Sequence, residues 1–163
     1  MRWETLTITL GYEVYELWHK EQKLLTLTFH PATSSARVET AGEKRVLQIR
    51  KEGFRRNKPV LRSEYGILIG QLGHENKEQT VELNNERFFY TIENKQEPDL
   101  VVYKDSKTHP LTVCRLNVNK SNLTADVSKK NTPLANLHSS LLLALCWYLF
   151  LPVSKESVLD YAV

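Results

Sequence analysis

The sequence predicts a mainly β protein: a closed antiparallel barrel of about twelve short strands around one buried apolar helix near the C-terminal end. Three observations predict it. Residues 141–151 read LLLALCWYLFL, the one long uninterrupted apolar run. Period-two alternation of apolar and polar residues recurs through the first 127 positions. Turn-forming residues punctuate that stretch at short intervals.

The apolar run is helical in composition and oily on every side. Eleven helical residues span about 16 Å at roughly 1.5 Å each, about half of a ~30 Å hydrocarbon core. A run this short reads as a core helix rather than a membrane span. A helix that is apolar all round must be covered all round. The available covering is β-strand, so a barrel with a helix inside is the natural solution.

The strands follow in order. Leu6, Ile8 and Leu10 alternate with Thr5, Thr7 and Thr9, and Leu25, Leu27 and Phe29 alternate with Leu24, Thr26 and Thr28. Such alternation puts one set inside and the other in water. Further strands are expected at 12–18, 35–41, 44–50, 59–64, 66–72, 78–83, 86–93, 99–105, 110–117 and 121–127. Gly11, Lys20-Glu21-Gln22, His30-Pro31-Ala32, Ala41-Gly42-Glu43, Asn84-Asn85, Glu97-Pro98 and His109-Pro110 supply the turns between them. Regular short strands of this kind belong to an all-β barrel or sandwich.

After residue 127 the pattern changes. Thr132 precedes Pro133, an acceptable cap followed by proline at the first helical position. The helix is expected over about 133–151, with Pro152 ending or kinking it. The tail 152–163 could add a short amphipathic turn or helix capped by Ser154 or Ser157. The 163 residues fit a single domain, 1–163, with strands over about 3–127.

Composition bounds the function. The chain is 41% hydrophobic and 25% charged, with net charge +3. That mild basicity does not call for nucleic acid. Cys114 and Cys146 both sit in apolar segments and read as reduced buried thiols. The first ten residues, MRWETLTITL, lack the apolar core of a signal peptide. The expectation is a cytoplasmic protein, peripheral to a membrane if it meets one.

The element order, about twelve antiparallel strands and then one apolar helix, resembles the Tubby C-terminal-like superfamily, which includes the Tubby domain, the phospholipid scramblases and the LURP-one-related proteins. RSEYGILIGQL resembles the hairpin entry of scramblase-like proteins, and DLVVYKDSKTHPLTVCRLNV their paired late strands. The resemblance spans roughly 3–151 and rests on pattern rather than a signature motif. It implies a helix threaded through a barrel. It also implies a binding role, since the Tubby domain holds phosphoinositides with basic side chains. No individual position of this chain aligns with those side chains.

The chain's own chemistry offers one suggestive feature. Lys44, Arg45, Arg50, Lys51, Arg55, Arg56, Lys58 and Arg62 form a basic stretch around Phe54, which falls in a loop between two strands. Clustered Arg and Lys can hold phosphate groups on lipid headgroups. An ordinary solvated hairpin has the same composition.

Catalytic constellations are harder to find. His19, His30, His74, His109 and His138 show no metal-ligand spacing. His109 and Cys114 are five apart, which strict alternation places on opposite strand faces. Ser139 and Ser140 lack a nucleophile elbow. No catalytic residue, metal or cofactor is therefore expected. The leading expectation is a non-enzymatic binding or scaffold protein that recognises an anionic lipid surface or a protein. A scramblase-like membrane protein and a protein-interaction module stay open as alternatives. The oligomeric state is not legible.

Overall fold

The computed structural model describes residues 2–41, 46–54, 58–75, 78–93, 99–104, 110–119, 122–129 and 137–160. The protein is mainly β, one antiparallel sheet and one α-helix. Ten strands have described side chains: β1 (Arg2–Ile8), β2 (Glu13–His19), β3 (Gln22–His30), β4 (Ser35–Thr40), β5 (Val46–Glu52), β6 (Lys58–Ser63), β7 (Leu68–Glu75), β8 (Glu78–Leu83), β9 (Glu86–Glu93) and β10 (Asp99–Tyr103). The backbone adds β11 (Pro110–Asn119), β12 (Asn122–Lys129) and the helix α1 (Leu137–Asp160). A 3₁₀ turn, Pro31–Thr33, links β3 to β4.

Each strand pairs antiparallel with its neighbour in sequence, and β12 pairs with β1 through Arg2–Asp126, Trp3–Ala125 and Glu4–Thr124. The pairing order therefore returns to its start. Sequential antiparallel pairing makes every odd strand run the same way. The loops after β1, β3 and β5 share one end, called here the far end; the loops after β2, β4, β6 and β8 share the near end.

Alternation builds the core. Tyr15 and Leu17 of β2, Leu25, Leu27 and Phe29 of β3, and Leu47 and Ile49 of β5 point inward and are buried. Leu141–Leu151 of α1 fills the space they enclose; only Leu149 and the preceding Ser140 are half-buried in this part of the helix. Trp147 stacks on Trp3 with ring centroids 5.0 Å apart and meets Tyr15 edge-on at 5.4 Å. The Tyr148 hydroxyl donates to the Ser34 carbonyl at 2.6 Å, which places this part of α1 at the far end. At Gly70 of β7 the packing is tight: a Cβ there would lie 2.7 Å from the Glu82 carbonyl oxygen and 3.5 Å from Leu145 Cδ1.

Two expectations need correction. Pro152 does not end the helix, which continues to Asp160. Proline removes one i to i−4 hydrogen bond, and its ring crowds one carbonyl. The expected start at Thr132-Pro133 lies outside the described residues.

The second correction concerns β1. Leu6, Ile8 and Leu10 do not join the core; they are 63%, 58% and 106% exposed. The register between β1 and β2 shifts between Thr5 and Thr7, so Leu6 is the extra residue of a bulge. Trp3 and Thr5 pair with buried Leu17 and Tyr15, so the inner face of β1 is taken by the opposite phase, and alternation from Trp3 already turns Leu6 outward. Trp3, before the bulge, is the residue of β1 that enters the core.

Candidate functional site

The basic stretch divides once it is placed on the fold. β5 begins at Val46 and ends at Glu52, about 20 Å away at roughly 3.3 Å per residue. Lys44 and Arg45 precede it, and Arg55 and Arg56 follow it; these four lie outside the described residues. The four described cations are Arg50, Lys51, Lys58 and Arg62.

Arg50, Lys51 and Lys58 are exposed at the far end, on the hairpin that joins β5 to β6. The register pairs Arg50 with Val60, Lys51 with Pro59 and Glu52 with Lys58. Gly53 takes φ 92°, a left-handed conformation that glycine adopts without a Cβ clash. The turn holds Phe54 wholly in solvent at 104% exposure. An apolar tip flanked by three exposed cations is the geometry this hairpin presents.

Arg62 has a different role. Its Nε donates to Glu52 Oε1 at 2.7 Å and its Nη2 to Oε2 at 2.8 Å. Its Nη1 donates to the Gly66 carbonyl at 2.8 Å. This fork ties β5, β6 and the turn after β6 together. It runs diagonally past Val60, which is 4% exposed yet is not part of the central core. The Arg62 hydrogen bond holds the Glu52 carboxyl below the usual carboxylate range, with the nearby Arg62 and Arg50 charges acting in the same direction. Arg62 is a structural clamp, its guanidinium engaged by Glu52 and Gly66. A shallow cavity of about 250 Å³ lies beside the fork and is lined by Gln48, Arg50, Arg62, Ser63, Glu64 and Gly66.

A second polar groove, about 210 Å³, crosses β6 to β9 on the outside; its lining includes Lys58, Gly73, His74, Glu82 and Arg87. Glu82 accepts from the Gln71 amide and from Arg87 Nη2, the latter at 2.8 Å. These two bonds, Gln71 first, hold its carboxyl below the usual range. Opposite charges neutralise each other along this groove, and it offers no distinct chemistry.

Inside, one carboxylate is buried among the described residues. Glu13, 6% exposed, accepts a 2.7 Å hydrogen bond from the Tyr15 hydroxyl. Burial, and then that bond, push the Tyr15 phenol far above its ordinary 10.0. Sequence reasoning missed this pair, although Glu13-Val14-Tyr15 at i and i+2 on one strand face is the signal that carries it.

Among the described residues no group of three His, Cys, Asp or Glu side chains could hold a metal ion. Cys146 is buried and outside any disulfide. The side chains of Cys114, His138 and Ser139, and all of His109, lie outside the described residues. No described helix is long and apolar enough to cross a membrane. Comparison with family models, with curated proteins and with solved structures returned no match for this chain.

Proposed function

We propose that this chain is a non-enzymatic binding protein of Tubby-like fold, a closed twelve-stranded barrel plugged by α1, which recognises anionic phospholipid headgroups through the β5–β6 hairpin. The observation that carries the reading is the hairpin's composition in space. Arg50, Lys51 and Lys58 are exposed around a fully exposed Phe54, while the acid between them, Glu52, is engaged by Arg62. Cations beside an anionic leaflet gain about 1 kcal/mol each. An aromatic tip adds apolar burial once it reaches the acyl boundary.

The order of elements and the helix set among strands support the Tubby-like part of the reading. A scramblase-like role, in which 141–151 enters a membrane, has less support because these residues are already committed to the core.

The test is co-sedimentation with vesicles of graded phosphatidylserine content, comparing the wild type with an Arg50→Ala/Lys51→Ala/Lys58→Ala variant. Three charges at about 1 kcal/mol each correspond to roughly a hundredfold loss of affinity. Binding should weaken with salt in the wild type and be lost in the variant. A wild type that ignores anionic vesicles at low salt would remove the proposal.

A further inference from the structure

We infer that the far end of the barrel also inserts apolar side chains into the lipid bilayer, along the arc of rim that runs from β1 to β5. This rests on the anionic-surface reading and adds a second, independent mode of contact to it.

The arc is defined by direction and pairing. β1, β3 and β5 run the same way, so Leu10, the Pro31–Ser34 turn and Phe54 all lie at one end. Four strand spacings of about 4.8 Å separate β1 from β5, or roughly 19 Å along the sheet. Leu10 is 106% exposed and Phe54 104%. Leu6, Ile8 and Tyr12 extend the first of these tips down the outside of the wall. The intervening turn presents Ala32 and Thr33, exposed and uncharged.

Charge complementarity selects the bilayer as the occupant. Among the described residues of this arc at the far end there are two carboxylates. Glu13 is buried and bonded by Tyr15, and Glu52 is held in the Arg62 fork. The exposed charges are Arg50, Lys51 and Lys58. The arc therefore offers apolar tips and cations with no exposed, unengaged acid, which matches acyl chains beneath an anionic headgroup layer. The near end differs: Lys20, Glu21, Glu64 and Glu86 are all exposed there, a mixture with no preference for an anionic surface.

The experiment uses the full chain with vesicles of phosphatidylcholine and phosphatidylserine, some brominated in the acyl chains. Trp3 and Trp147 are buried and Trp18 is half-buried, so the signal of a Leu10→Trp variant is its difference from the wild type with its three native tryptophans. Its emission should be quenched by brominated lipid more strongly than wild-type emission. A Leu10→Ser variant should bind about tenfold more weakly, and its defect should persist at 0.5 M salt, on the order of a 4 Å Debye length, where charge contacts are screened.

Outcomes separate the two readings. Unquenched Leu10→Trp, with Leu10→Ser binding as wild type and the charge variant failing, leaves headgroup recognition standing and overturns insertion. Binding lost in Leu10→Ser but kept in the charge variant supports insertion and overturns the hairpin reading. A Leu10→Ser change that turns a dimer into a monomer in sedimentation equilibrium, with vesicle binding unchanged, assigns the patch to a second copy and overturns insertion.

Discussion

At the residue scale, partners decide what a side chain can do. Arg62 and Arg50 are indistinguishable as letters, and both lie in the same basic stretch. Arg62 is spent on Glu52 and Gly66, while Arg50 faces solvent. Arg62→Ala should lower the melting temperature and leave vesicle binding within twofold, the reverse of the Arg50/Lys51/Lys58 variant. The carboxyl of Glu52 is depressed from an ordinary 4.5, so the Arg62 fork supports the fold fully above that value and fades as pH falls below it. Glu52→Gln should flatten the acid limb of a stability profile below pH 4.5, measured by urea melts.

Tyr15 works at the opposite limb. Its raised pKa means that its contribution is whole below pH 10.0 and is lost as pH climbs beyond it. Tyr15→Phe also removes the donor to buried Glu13, which should cost about 1–3 kcal/mol at neutral pH. The sequence showed which residues were basic and that Phe54 sat in a loop. It could not show the Arg62 diagonal, because that contact crosses ten positions of chain and depends on strand register.

At the element scale, the same limits have a different cause. Periodicity placed β8 and β9 at their observed bounds, Glu78–Leu83 and Glu86–Glu93, since tight Asn84-Asn85 chemistry separates them. Both asparagines take positive φ, 49° and 65°, as such a turn requires. In β1 periodicity gave the alternation but not its phase, since Trp3 takes the inner face and leaves Leu6 and Ile8 exposed.

Gly70 tests the fit of wall to helix. Gly70→Ala would push a methyl group against the Glu82 backbone carbonyl, and should cost about 1–3 kcal/mol in a chemical denaturation curve. The helix is the larger test. Removing residues 133–163 strips every inward side chain of its covering, so the fragment 1–132 should show no cooperative melt. Pro152→Ala should strengthen the helix past the core by up to about 3 kcal/mol, read as slower amide exchange over 153–160.

At the scale of the whole molecule, the core belongs to a segment that comes after everything it must touch. The strands of the sheet precede α1 in the chain, and their buried side chains share one core with 141–151. A ribosome adds roughly 5–20 residues each second, so the strands are complete in sequence for about 1–4 s before Leu151 is added. The β1–β12 pairing joins residues more than a hundred positions apart, a contact order that slows folding further. Synthesis thus leaves an apolar sheet lining open to neighbours, and this protein should depend on a holding chaperone until α1 clears the exit tunnel.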